Sequence, residues 1–155
     1  MSSSLSESQK DLIERIGVYH EQQGMQPLMG RILGLLLILD DAEATFEDII
    51  EHLNVSKSAV STALNVMQIQ NRVAYRTKPG ERKRYFYLNM GNWEKDIEKE
   101  LHEIAKVGEF VQEALTLRSN KKTEFNSYLQ NLCQFMEYFK KQIPRLFRDF
   151  ENSKS

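Results

Sequence analysis

The side chains best suited to chemistry in this 155-residue chain lie in one run, Ser56 to Asn65. At 3.6 residues per turn, Ser56, Lys57, Ser58, Ser61, Thr62, Asn65 and Gln68 fall on one helix face, and Val60, Ala63, Leu64 and Met67 on the other. The polar face carries no carboxylate. Short hydroxyl and amide groups near a helix N-terminus exchange hydrogen bonds at close range, which suits base edges in a DNA major groove. Asn65 suits a two-pronged bond to adenine, whereas Ser58, Ser61 and Thr62 discriminate less. The free N–H groups at the helix start favour a phosphate, and Lys57 adds a second contact of that kind. More cations follow at Arg76, Lys78, Arg82, Lys83 and Arg84. Between Ser56 and Arg84 seven cations meet the single anion Glu81, whereas Gly91 to Arg118 holds four cations and seven anions. With a formal net charge of only -1, the chain concentrates its positive charge where a polyanion would be met.

These groups need elements to hold them. Thr45 and Asp48 are placed to cap a short helix with Phe46, Ile49, Ile50 and Leu53 on its buried face. Asn54-Val55-Ser56 reads as the turn: Asn54 tolerates a left-handed backbone, Val55 plugs the elbow, and Ser56 caps the polar-faced helix. The β-branched and aromatic runs Arg72–Thr77 and Tyr85–Asn89 predict a two-stranded hairpin, with Pro79-Gly80 favouring a type II turn at its basic tip. Two helices, an elbow and a ribbon make a winged helix-turn-helix.

Upstream, Ser6 and Gln9 form a capping box for a helix bearing Leu12, Ile13, Ile16 and Tyr19, which Gly24 stops. Pro27 then opens a strongly apolar helix to about Leu39, in which Gly30 and Gly34 permit close approach of another helix. Downstream, Asn92 is expected to cap one long helix, Trp93 to Leu117, broken at Ser119 to Lys122. Thr123 caps a last helix, which Pro144 should kink or restart, and the tail Glu151–Ser155 is expected to fray. The fold expected is mainly α with a small β-hairpin wing, flanked by N- and C-terminal dimerisation helices. Residues 1–23 would form an N-terminal helix contributing to a dimer, 24–90 the winged DNA-binding domain, and 91–155 the dimerisation helices.

Three runs carry a family resemblance: Gly30-Arg31-Ile32-Leu33-Gly34-Leu35-Leu36-Leu37, Val55-Ser56-Lys57-Ser58-Ala59-Val60-Ser61 and Pro79-Gly80-Glu81-Arg82-Lys83. Together they resemble the GbsR branch of MarR-type transcriptional regulators, from Gly24 to the region of Pro144. The resemblance implies a homodimer on a pseudo-palindromic operator, with the helix after Ser56 in the major groove and the wing in the minor groove. It also implies a repressor in many members and, in the GbsR branch, choline-type effectors. The wing departs from the usual Asp, any residue, Arg: the matching positions are Glu81, Arg82 and Lys83.

The apolar seam from Trp93 to Leu115 either packs within its own chain or joins the outer helices in a dimer; the dimer is the preferred reading, since a two-fold protein sets two reading helices about one DNA turn apart. The interface set is then Ile13, Ile16, Ile97, Leu101, Ile104, Val111, Leu115, Phe139 and Phe147. Trp93, Phe125, Tyr128 and Phe135 are either an aromatic cage for a quaternary amine or plain core at helical spacing. The single cysteine, Cys133, sits among Leu129, Leu132 and Met136 as a small hydrophobe; a redox role would need a stabilised, accessible thiolate. His20, His52 and His102 lack ligand spacing, so no metal and no cofactor is expected. No nucleophile elbow, phosphate-binding glycine loop or acid–base pair points to an enzyme. No apolar run approaches the ~20 residues of a membrane span, and a cytoplasmic protein is expected. The alternative to a DNA reader is a winged-helix module that binds protein and leaves DNA alone.

Overall fold

Capping fixes where most of the helices begin. In a computed structural model describing residues 4–120 and 123–154, the order is α1 (Glu7–Gln22), α2 (Pro27–Ile38), β1 (Ala44–Thr45), α3 (Phe46–Leu53), α4 (Lys57–Ile69), β2 (Val73–Thr77), β3 (Arg84–Leu88), α5 (Trp93–Ala105), α6 (Val107–Leu117) and α7 (Glu124–Ser153). Two compact units divide it, residues 1–90 and 91–155.

In the first unit α1 starts on the Ser6–Gln9 capping box, with both reciprocal bonds formed. Its partner α2 begins at Pro27 and lies against it closely: a Cβ on Gly30 would sit 3.1 Å from the Gly17 Cα, and one on Gly34 3.1 Å from the Ile13 Cα. The contact is latched by Arg31, whose Nη2 donates to Glu14 at 2.6 Å and whose Nη1 donates to the Pro27 carbonyl at 2.7 Å. Ile32 and Leu35 of α2 are wholly buried, while Leu37 leaves one side of that helix open. Ile49 of α3, Val60 and Met67 of α4, Val73 of β2 and Phe86 of β3 close the core around α2.

The sheet has three strands in the order β1-β3-β2, all antiparallel, where a two-stranded hairpin was expected. The extra strand is two residues long, too short for an alternating pattern to show. Thr45 pairs with Tyr85 in the sheet and also caps α3, its hydroxyl accepting from the Asp48 amide at 3.2 Å.

The second unit differs from expectation in four places. The long helix is two, broken at Lys106; Gly108 lies just beyond, where a Cβ would come within 2.7 Å of the Met136 side chain. Asn92 supplies no side-chain cap. Of the two outcomes expected at Pro144, the restart does not occur: α7 runs 30 residues through it, although Pro144 has no N–H for the fourth carbonyl before it, and adjacent Ile143, 1% exposed, anchors the turn in the unit's small core. The tail is helical to Ser153 rather than frayed, and Lys154 ties it to Glu94 at 3.1 Å and Glu151 at 2.6 Å. Both α5 and α6 pack on α7. Thr123 caps α7 as expected, and buried Asn126 closes the preceding loop, accepting from Arg118 Nε at 2.6 Å and donating to the Asn120 carbonyl at 2.8 Å. Lys121 and Lys122, part of the expected helix break, lie outside the described residues.

Candidate nucleic-acid interface

The turn before α4 aims that helix. Asn54 closes α3 in the left-handed region, at φ 50 and ψ 54, and Ser56 caps α4 by accepting from the Ala59 amide at 3.2 Å. Val55 is half-buried against the core. Val60, Ala63, Leu64 and Met67 are buried beneath α4, so Ser56, Lys57, Ser58, Ser61, Thr62 and Asn65 are all exposed along its other face. Gln68 leaves that face: it is half-buried, and its Nε2 donates to the Leu64 carbonyl at 3.1 Å.

The wing turns at Lys78-Pro79-Gly80-Glu81. Gly80 has φ 80, and the Glu81 amide donates to the Lys78 carbonyl at 3.1 Å, the type II geometry expected of Pro-Gly. Tyr85 donates to the Glu81 carboxylate, so this acid is held at the wing tip, and the bond raises the Tyr85 pKa. Arg84 lies over the Tyr75 ring at 4.6 Å. Arg82 and Lys83 are exposed and make no hydrogen bond or ion pair among the described residues. Thr45 joins the wing's root to the helix pair. Burial pushes the Asp48 carboxyl up, but the Thr45 hydroxyl, at 2.7 Å, and amide, at 2.9 Å, together with the nearby charges of His52 and Lys83, more than offset it and leave the pKa lowered.

Arg76 and Lys78 stand apart from the other wing cations. Both were expected to be available for phosphate, yet both pair with Glu43: Arg76 Nε donates to one carboxylate oxygen at 2.7 Å and Lys78 Nζ to the other at 2.6 Å. The Glu43 side chain is only 8% exposed beneath them. Its pKa is lowered by the bond from Lys78, against the effect of burial and with further help from Arg76. Lys78 also lies 3.8 Å from the Tyr85 ring centroid. Nothing in the local sequence marks Glu43, because its partners lie across the sheet.

The other expected sites resolve unevenly. Trp93, Phe125, Tyr128 and Phe135 do not converge. Trp93 meets Phe150 at 6.0 Å, near the far end of α7 from Phe125 and Tyr128, and at ~1.5 Å rise per helical residue more than 30 Å separates these ends. Phe135 stacks on Phe139 at 6.2 Å. A groove of about 720 Å³ between α6 and α7 is lined instead by Gly108, Gln112, Thr116, Gln130, Cys133 and Met136 among others. Cys133 is buried, its thiol donating to the Gly108 carbonyl at 3.6 Å. Of the expected interface residues, Ile13 is 4% exposed in the core of its own chain, so it has little surface for a second copy. Ile16, Leu101, Val111, Leu115, Phe139 and Phe147 are half-buried, and Ile97 and Ile104 exposed. The pattern overlooked Phe110, Leu117, Tyr138 and Leu146, each at least 59% exposed.

Residues 31–71 match the family model described as bacterial regulatory protein, arsR family. The matched stretch runs from within α2 through α4, the helix-turn-helix itself, and stops short of the wing. A solved structure described as "Crystal Structure of a transcriptional regulator" shares 18% sequence identity at a TM-score of 0.67, over 94% of this chain and 99% of that one. At that identity the likeness is one of fold, and the fold is that of a winged helix-turn-helix protein. No curated protein sequence matches the chain. Among the described residues no helix is long and apolar enough to cross a membrane.

Proposed function

We propose that the protein is a sequence-specific regulator of transcription that binds double-stranded DNA as a homodimer. It would act as a repressor on a pseudo-palindromic operator, in the manner of the MarR-type regulators of the GbsR branch, and without enzymatic activity. The observation that carries this is the exposed, acid-free face of α4 beside a wing whose Arg82 and Lys83 are exposed and make no hydrogen bond or close ion pair among the described residues. The arsR-type match over the helix-turn-helix supports the same chemistry from a different family. Support for the homodimer is the apolar side of α7 that its own unit leaves exposed, with Tyr128, Phe135, Tyr138 and Leu146 each at least 58% exposed. The aromatics considered for a cage serve better as part of this surface, so a small-molecule input would enter elsewhere, for which the groove between α6 and α7 has room.

Selection from a random duplex pool tests the reading, and an enriched motif with two-fold symmetry is expected. Asn65→Ala should relax one base position, at about 1–3 kcal/mol of discrimination, while Arg82→Ala with Lys83→Ala should weaken binding to every sequence and flatten its salt dependence. A confirmed dimer that enriches no sequence would favour the protein-binding module instead.

A further inference from the structure

Glu43 is where the structure departs furthest from a simple basic wing. It is the residue before β1, and its side chain is 8% exposed beneath two cations that come from β2 and from the residue just after it. Resting on the DNA-binding reading, we propose that Glu43 is a positioning residue that sets specificity by withholding Arg76 and Lys78 from phosphate. Three observations meet here. Each carboxylate oxygen is engaged by a different cation, at 2.7 Å from Arg76 Nε and 2.6 Å from Lys78 Nζ, so both side chains are held at once. Lys78 is held a second time by the Tyr85 ring, at 3.8 Å. Tyr85 in turn pairs with Thr45 in the sheet and donates to Glu81 at the tip, so the clamp also fixes the orientation of the wing.

The consequence is a division of labour among cations. Phosphate contacts strengthen binding to all sequences alike, while base contacts strengthen it only for the correct one. With Arg76 and Lys78 engaged by Glu43 and Arg84 lying over the Tyr75 ring, Arg82 and Lys83 are the wing cations readiest to reach out; this keeps sequence-independent affinity low, so the hydroxyl and amide face of α4 decides more of the outcome. A wing with five free cations would hold any duplex.

Glu43→Gln keeps the shape and removes the charge. Titration of wild type and variant against the selected operator and a scrambled duplex, across a salt series, reads the effect. In the variant the scrambled duplex should bind several-fold more tightly, the operator-to-scrambled ratio should fall about tenfold, and the salt slope should steepen by up to ~0.9 per released cation. Glu43→Asp should recover part of the ratio. In the wild-type background, Arg76→Gln with Lys78→Gln should leave the salt slope unchanged; this also serves if Glu43→Gln fails to fold by circular dichroism. A slope flattened by that double substitution, or an unchanged ratio in folded Glu43→Gln, overturns the proposal while leaving the DNA reading intact. Wild type that binds neither duplex ends both.

Discussion

The two units bury apolar surface very differently. Among the described residues the first unit buries thirteen hydrophobic side chains in one cluster, whereas the second buries Ala105, Cys133 and Ile143. Exposure runs the other way: twelve large hydrophobics are exposed between Trp93 and Phe150, against six before Gly91. A small unit gains stability roughly in proportion to the apolar area it removes from water. The first unit therefore has the buried core to hold α4 rigidly. The second has helices whose apolar sides await a covering, which in the proposed homodimer is a second copy of themselves.

The sharpest way to break this contrast is to charge the exposed side of α7. Phe135→Glu with Tyr138→Glu should weaken self-association by about a hundredfold to a thousandfold, taking roughly 2 kcal/mol for each interface anchor. Sedimentation velocity would read this, with the circular dichroism of the first unit's elements preserved; an unchanged dimer would mean that this side of α7 is not the interface. Next come the two cores. Met67→Ala should cost roughly 2–5 kcal/mol of stability, while Cys133→Ala should cost about 1 kcal/mol, by chemical denaturation. Equal costs would erase the difference. A smaller effect is expected at the joint, where Ser56→Ala removes a cap worth about 1 kcal/mol and should lower operator affinity along with stability.

The gentlest effect is that of acid. Glu14, Glu43 and Asp48 all have lowered pKa values in the folded first unit. A lowered folded pKa contributes stability that is fully present above the ordinary value and is lost as pH falls through the folded one. The first unit should thus weaken as pH drops below 4.5 for Glu14 and Glu43 and below 3.8 for Asp48. Denaturation midpoints from pH 6 to pH 3 measure it, and Glu43→Gln should flatten the slope.

What the sequence made legible was local. Ser6 with Gln9, Thr45 with Asp48, Ser56 with Ala59 and Thr123 with Asn126 are all three residues apart, so each cap is written within one helical turn. The polar face of α4 follows from the helical period alone. Glu43 with Arg76 lies across the sheet, and no period spans that distance. The same holds for β1, whose two residues are a strand only because β3 lies beside them. The break at Lys106 was hidden because the apolar spacing continues smoothly across it, and the helix runs on through Pro144 without a restart because that depends on the packing around Ile143, of which the proline ring says nothing. Aromatic type suggested a cage, but only the length of α7 shows that Trp93 and Phe125 belong to opposite ends.

The pairing of Thr45 with Tyr85 also bears on the order of assembly. α1 and α2 are joined by a short turn and can meet early, whereas β1 must find β3 across the whole of α3, α4 and β2. Closing so long a loop loses chain entropy before the sheet returns any of it, and such contacts set the pace of folding in small domains. The pairing of β1 with β3, which anchors the wing to the helices, is therefore the contact in the first unit whose closure loses the most chain entropy.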